Sequence, residues 1–232
     1  YSYYALAPFE KWGIDFIGPV NPSSSRRNRY IILATDYCTK WVEAKATRQN
    51  DAKVAANFLF DHILMRFGYP LELVSDQGKH FLNVLIRALT QRYSITHGKT
   101  TPYNPKANGL TERANGVVGK MLNKMTSAHQ RDWDEKLSSA VFAYNCTMKS
   151  TTGYTPYFLV YGMTPIQRVE HEVAPTRLVT TRDPDLGVAT EARTERIDLL
   201  EEARRLSLTR TAEVQNSRKR HYDEKQSSHR NI

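Results

Sequence analysis

Three acidic residues stand where acids are uncommon. Asp15 interrupts the apolar run Trp12-Gly-Ile-Asp-Phe-Ile-Gly18, and Asp76 follows the short segment Leu71-Glu-Leu-Val-Ser75. Glu112 comes early in a segment of helical period, just past the proline-containing stretch 98–108. Acidic side chains are poor strand formers and costly to bury singly. If the three converge at one edge of a sheet, their mutual repulsion calls for a cation, and oxygen donors select Mg2+ or Mn2+. Two such ions, about 3.5–4 Å apart, activate an attacking oxygen and stabilise the leaving oxygen of a phosphodiester. The same residues allow an unconnected reading, with Asp76 a strand-end turn residue and Glu112 a helix-start acid favoured by the dipole. Spacing alone leaves both readings open.

The elements that must position these residues are legible in outline. Residues 12–18 alternate and end at Gly18-Pro19, which reads as a strand and a turn. A polar, basic loop over 21–29 leads to the β-branched run Tyr30–Thr35, and Trp41–Ala46 alternates again, so three antiparallel strands in a meander are expected. From Asp51 the period becomes helical, with Val54, Ala55, Phe58, Leu59, Ile63 and Phe67 on one side until Gly68-Tyr-Pro70. Leu71–Ser75 is a fourth strand, and Phe81, Leu82, Leu85, Ile86 and Leu89 mark a second helix. Ser94–His97 is a fifth, short strand. The helix that carries Glu112 has Val117, Val118, Met121, Leu122 and Met125 as its apolar side, and Trp133–Met148 forms another helix. Strands then alternating with helices describe an α/β fold, a mixed five-stranded sheet flanked by helices. Beyond Pro165 the chain is Glu/Arg-rich, and Ile197, Leu200, Ala203 and Leu206 suggest a long, mostly solvated helix. The expected division is therefore a core over 1–165 and a helical C-terminal linker or extension over 166–232.

Composition narrows the classes. The 232 residues hold 33 Lys+Arg against 24 Asp+Glu, a formal charge of +9, and 40% hydrophobic residues. Residues 1–165 carry 20 cations and 12 acids, so +8 of the surplus lies in the expected core. A basic folded domain suits a polyanion such as nucleic acid, and it equally suits simple solubility. No apolar run approaches the ~20 residues of a membrane span, so no membrane partner is expected. Cys38 and Cys146 can form one bridge at most and lack the paired Cys/His spacing of a zinc site, so no zinc is expected in this chain. With so few cysteines and no charged-then-apolar leader, a reducing intracellular setting is expected.

The interval from Asp76 to Glu112 leaves 35 residues between them, with Asp15 upstream. Around it stand Asp36-Tyr-Cys-Thr-Lys-Trp41, Ser75-Asp-Gln-Gly-Lys-His-Phe81 and Thr101-Pro-Tyr-Asn-Pro-Lys-Ala-Asn-Gly-Leu-Thr-Glu-Arg-Ala-Asn115. The helix ending in Tyr144-Asn145 and the segment Thr155-Pro-Tyr-Phe-Leu-Val-Tyr-Gly162 continue the pattern. Together these motifs, spread over roughly residues 8–165, resemble the catalytic core of a retroviral-type integrase from a gypsy-class LTR retrotransposon. A cut-and-paste transposase that shares the acidic triad fits the interval and flanking motifs less well.

The resemblance implies an RNase H-like fold and a DDE-type enzyme with Asp15, Asp76 and Glu112 as catalytic and metal-binding residues. It implies Mg2+ or Mn2+, two ions, serving 3′-end processing by water and then strand transfer by the freed 3′-hydroxyl into target DNA. Both are in-line displacements at phosphorus, so one site serves both. The implied partners are double-stranded DNA, as element ends and target, and further copies in a homo-oligomer. The implied setting is the nucleus, after a cytoplasmic pre-integration phase. The family's zinc module and β-barrel are expected to lie outside these residues, leaving a core plus linker. The alternative is a retrotransposon-derived protein that binds DNA or chromatin without catalysis.

Lys106 stands where the family often has Gln; it can still meet a phosphate, though only as a point charge. Tyr103 and Asn104 share its loop. Asn108 is either a ligand contact or a helix N-cap. Asn115, three residues past Glu112 on the same helix side, either orients water or serves a polar face. Arg113, Lys120, Lys124 and Lys79 are candidate phosphate contacts or ordinary solvated charges, and His80 is not expected to bind metal. Trp12, Trp41 and Trp133 read as packing rather than base-stacking residues. Ser217-Arg-Lys-Arg-His221 reads as a basic run on a solvated helix rather than as a nuclear import signal.

Overall fold

The computed structural model describes residues 7–99, 109–126, 130–166 and 186–230. The meander expected from the alternating segments is present: β1 (Lys11–Ile17), β2 (Tyr30–Asp36) and β3 (Val42–Thr47) are antiparallel neighbours. β4 (Glu72–Ser75) pairs parallel to β1, and β5 (Thr96–Lys99) parallel to β4. The five strands lie in the order β3-β2-β1-β4-β5, a mixed sheet of RNase H-like form.

The crossover from β3 to β4 begins at Asp51, whose carboxylate accepts the Val54 N–H at 2.8 Å and caps α1 (Ala52–Phe58). α1 continues through a π-helical stretch, Leu59–Leu64, into α2 (Met65–Phe67), and Gly68, at φ 89°, turns the chain toward β4. The second crossover is α3 (Val84–Arg92). It starts later than the apolar spacing suggests, because the Asn83 side chain caps it by accepting the Ile86 N–H at 3.0 Å. Phe81 is therefore buried ahead of the helix, while Leu82 and Leu85 are exposed.

Successive strand residues alternate faces, and the two faces have different covers. Ile31, Leu33 and Val42 join Ala114, Val118 and Leu122 of α4 (Gly109–Met125) and Trp133, Leu137, Ala140 and Tyr144 of α5 (Trp133–Cys146) in one core, with Ile17, Ala44 and Ala46 packed against it. Val117 and Met125, expected on the apolar side of α4, are exposed; small residues, Thr111 and Ala114, face the sheet instead. The Trp12 indole stacks with Phe9 and meets Phe67, and all three tryptophans are buried. Cys38 and Cys146 are both free thiols.

Contacts divide the chain into two compact units, Tyr1–Asn145 and Cys146–Ile232. In the second, Thr155 caps α6 (Pro156–Tyr161) by accepting the Phe158 N–H at 3.1 Å, with Pro156 in the first turn. α6 is held on α7 (Leu186–Arg230) by the Arg204 guanidinium, which donates to the Leu159 carbonyl at 2.9 Å. The stripe expected on α7 is only partly used: Ala203 and Ser207 are buried, whereas Ile197 and Leu206 are exposed. Leu200 of the same stripe packs at the C-terminal end of α6, where a Cβ on Gly162 would stand 3.3 Å from it. Among the described residues, no helix is long and apolar enough to cross a membrane.

Candidate active site

The parallel ladder pairs Ile14 with Ser75. Asp15 and Asp76 each come one residue later, so they leave neighbouring strands at the same level, about 5 Å apart along the sheet. Glu112 is the fourth residue of α4. Its neighbour Thr111 is fully buried against β1, where a Cβ on Gly13 would stand 2.3 Å from Thr111 Oγ1. Gly13 and Asp15 alternate onto the same side of β1, so the first turn of α4 is laid over the strand that carries Asp15.

The electrostatics register this convergence. The Asp15 carboxyl is pushed up to about 6, by burial first and then by the charges of Asp76 and Glu112. Two donors oppose the rise: the Phe16 N–H and the Asn115 amide, each 2.8 Å from a different Asp15 oxygen. Asn115 thus reaches from α4 to the acid on β1. Its remaining oxygen, Oδ1, is buried and has no hydrogen-bond partner among the described residues.

Asp76 sits in a tight turn. Its Oδ1 accepts the Gly78 N–H at 2.9 Å and lies 3.7 Å from His80 Nε2. A Cβ on Gly78 would stand 2.5 Å from the His80 ring and 2.9 Å from Asp76 Oδ1, so the turn closes only without a side chain there. His80 packs edge-on against Phe16 and Phe81, and burial lowers its pKa while Asp76 pulls it back up. Behind Asp76, the Ser75 hydroxyl is 2.8 Å from His97 Nε2, which ties β4 to β5.

These donors fit a hard divalent cation in type. Three carboxylates and a spare buried amide oxygen are oxygen ligands, and a cation offsets both the burial that chiefly raises Asp15 and the lesser repulsion from Asp76 and Glu112. As placed, no three His, Cys, Asp or Glu among the described residues stand together as a metal-holding group. The reason is local: Asp15 is turned onto Phe16 and Asn115, Asp76 onto Gly78, and Glu112 is exposed.

Of the other candidates, Arg113, Lys120 and Lys124 are exposed on α4, and Lys79 is exposed beside Asp76. Tyr103, Asn104, Lys106 and Asn108 lie outside the described residues. Sequence reasoning missed the Gly13–Thr111 contact, although a glycine inside a strand is a known signal of close backbone approach. It also missed the buried centre of the Asp36–Trp41 motif. Asp36 Oδ2 accepts the Thr39 N–H at 2.7 Å and its hydroxyl at 2.6 Å, and Oδ1 accepts the Phe9 N–H at 3.0 Å. Beside it Lys40 is buried, donates to the Tyr37 carbonyl, and has its pKa lowered mainly by burial.

Residues 5–105 match the integrase core domain family, a stretch that contains Asp15 and Asp76 and ends before Glu112. The chain is 27% identical over 156 residues to a retrovirus-related Pol polyprotein from transposon 412 of Drosophila melanogaster, covering 67% of this chain and 12% of that protein. It is 32% identical over 155 residues to a Pol polyprotein of the feline endogenous virus ECE1, covering 66% and 14%. A Pol polyprotein of a radiation murine leukemia virus is 30% identical over 186 residues, covering 80% and 30%. The chain thus spans less than a third of the length of these relatives. Among solved structures, the HTLV-2 integrase catalytic core domain in complex with magnesium, in trimeric form, superposes with a TM-score of 0.54 at 20% identity, covering 66% of this chain and 96% of that one. A simian T-cell lymphotropic virus intasome in complex with a PP2A regulatory subunit, B56 gamma, gives 0.57 at 22%, covering 70% and 59%. The fold is that of an integrase catalytic core, residues 5–105 match the integrase core domain, and the chain's homologues are Pol polyproteins of retroviruses and transposons.

Proposed function

We propose that this chain is the catalytic part of a gypsy-class retrotransposon integrase, a metal-dependent polynucleotidyl transferase that processes the 3′ ends of element DNA and joins them to target DNA. The observation that carries the reading is the parallel register of Ile14 with Ser75, which sets Asp15 and Asp76 side by side under the first turn of α4. Glu112 completes the set from that turn. Bound Mg2+ or Mn2+, two ions in this reading, would supply the charge that activates the attacking oxygen and steadies the leaving one.

The chain's own residues have distinct tasks. Asp15, Asp76 and Glu112 hold the cations, and Asn115 fixes the rotamer of Asp15 through its 2.8 Å bond. The His80 ring, wedged between Phe16 and Phe81, backs Asp76 and keeps its turn closed. Arg113, Lys120, Lys124 and Lys79, with Lys106, Tyr103, Asn104 and Asn108, contact the DNA, Tyr103 and Asn104 near the reacting bond and the cations along its backbone. Residues 1–165 form the core and 166–232 the extension. The enzyme acts as a homo-oligomer bridging two DNA ends, in the nucleus.

The test is a duplex oligonucleotide incubated with Mn2+ and scored for nicking and for strand reversal (disintegration). Wild type is expected to show at least one. Asp76→Asn and Glu112→Gln should abolish both while leaving duplex affinity nearly intact. Equal activity in either variant overturns the metal-ligand assignment. DNA binding by wild type with no cleavage under any divalent ion favours the non-catalytic, DNA- or chromatin-binding alternative.

A further inference from the structure

Asp76 lies one residue past the end of the sheet's pairing. The ladder of β4 with β1 stops at Ile14–Ser75, and that with β5 stops at Ser75–Lys99. Beyond a ladder, a residue is placed by whatever else bonds its main chain. For Asp76 this includes a side chain, since the Ser75 hydroxyl donates to the Asp76 carbonyl at 3.0 Å.

The Ser75 hydroxyl is held in turn. Its oxygen is 2.8 Å from His97 Nε2, and the residue is fully buried. A hydroxyl has one proton to give and two lone pairs that accept. A carbonyl only accepts, so the proton goes to Asp76, and the Ser75 oxygen accepts from a His97 ring protonated on Nε2. The bonds run one way, from the His97 ring through Ser75 to the main chain of Asp76.

His97 is on the wrong side of the sheet to hold an ion at Asp15. Paired residues share a side, as do residues two apart on one strand. Ile14, Ser75, Leu73 and His97 are linked in that way, whereas Gly13 and Asp15 face α4 from the other side. His97 acts from β5, an edge strand of four residues that pairs with β4 alone. At the far end of β4, Glu72 packs against Gly98 and pairs with Lys11 of β1 at 2.7 Å. That tie is three residues from Ser75, while the His97–Ser75 bond stands next to the acid.

We propose that His97 is a positioning residue for the carboxylate of Asp76, acting through the Ser75 hydroxyl. The inference rests on the reading of Asp76 as a metal ligand. With these bonds intact, the Asp76 main chain is fixed at the level of Asp15, and only its side chain has to turn toward a cation. Without them the ion must also order the main chain, and the ordering cost comes out of its affinity.

The measurement is Mn2+ affinity of the full chain, read from the electron paramagnetic resonance signal of free Mn2+, with Tm recorded beside it. His97→Ala and Ser75→Ala should each weaken binding about tenfold, the lower end of the range for removing a partner of a metal ligand. His97→Gln can still donate from its amide and should recover most of the loss. The double variant His97→Ala/Ser75→Ala should bind no more weakly than Ser75→Ala, because groups acting in series are not additive. Should His97→Ala melt below the assay temperature, His97→Asn, too short to reach Ser75, takes its place with the same expected loss. A lower Tm with unchanged Mn2+ affinity of the folded variants overturns the proposal, and so does a double variant in which the two losses multiply. Asp76→Asn separates the two levels of the argument. If it binds Mn2+ as well as wild type, the metal-ligand reading itself falls; if it loses the ion while folded His97→Ala binds normally, only the role of His97 falls.

Discussion

Thr111 Oγ1 occupies the space that a side chain at Gly13 would need, 2.3 Å from where its Cβ would stand. The threonine is fully buried, and its hydroxyl has no hydrogen-bond partner among the described residues. A buried hydroxyl left unpaired costs free energy, so it is shape rather than polarity that the contact uses. Through it the helix turn bearing Glu112 rests directly on the strand bearing Asp15.

Gly13→Ala should therefore be worse than its size suggests. Overpacking of this kind costs about 1–3 kcal/mol, read as a lower Tm. Nicking with Mn2+ should fall more than stability does, by roughly a hundredfold, because a misplacement near 1 Å is enough for that. Thr111→Ala in the same chain opens the space again and should recover most of both. A Gly13→Ala protein as active as wild type would show that the placing of Glu112 does not depend on this contact.

Asp15 allows a pH prediction with a definite sign. Its carboxyl titrates near 6 in the fold against an ordinary 3.8, so the folded protein holds that proton more tightly than the unfolded chain. Stability from this group is lost as pH rises between those values, and above about 6 the penalty is constant. The interval corresponds to at most about 3 kcal/mol. Asp15→Asn removes the charge and keeps the shape, and its new amide can donate to Asn115 Oδ1 once the Asn115 amide, whose NH2 now faces Asp15, turns over. The variant should melt higher than wild type at pH 7.5, with the gap closing by pH 4, and should be inactive. Mn2+ should raise the Tm of wild type and leave the variant unmoved. A variant less stable than wild type at pH 7.5 would remove the argument.

The legibility of this molecule follows a physical line. The strands announced themselves in two ways: Trp12–Ile17 and Trp41–Ala46 alternate, as half-buried strands must, and Tyr30–Thr35 is a continuous apolar run because β2 is buried on both faces. The apolar side of α4 was misread at Val117 and Met125, because period alone does not show that a helix will approach a sheet through Thr111 and Ala114. The same bias toward large residues placed Leu206, rather than Ser207, on the packed side of α7. Asp15, Asp76 and Glu112 were legible as unusual acids, yet spacing could not say which lie near one another; the register of β1 with β4 brings Asp15 and Asp76 to one level, and Glu112 is near enough for its charge to act on Asp15. The Asn115–Asp15 bond spans 100 residues of sequence, so no local pattern could announce it.

Asn115 is expected to act through Asp15 rather than on DNA. Residues that orient metal ligands typically change metal affinity or activity by 10–100-fold when removed. Asn115→Ala should raise the Mn2+ concentration needed for half-maximal nicking by about that factor, with duplex affinity unchanged. Asn115→Asp should be worse still, since it replaces a donor with a fourth negative charge beside Asp15. If Asn115→Ala lowers duplex affinity and leaves the metal requirement alone, it is a DNA contact instead.

Asn145 offers the cleanest separation of architecture from chemistry. Its side chain reaches 103 residues back to a single residue of the edge strand: Oδ1 accepts the Val42 N–H at 2.9 Å, and Nδ2 donates to the Val42 carbonyl at 3.0 Å. One amide thus satisfies both backbone groups of Val42 and fixes α5 to the sheet in a buried setting. Asn145→Ala leaves both groups unpaired, at about 1–3 kcal/mol each. Asn145→Asp keeps the acceptor, loses the donor and buries a charge, so it should be no better. Both should lower the Tm and the denaturant midpoint strongly. Nicking measured well below the transition should nevertheless stay near wild type per folded molecule, since β3 carries none of the three acids. A loss of activity in fully folded Asn145→Ala would mean that the α5–β3 joint also sets the position of α4, and that packing rather than the β1–β4 register limits the site.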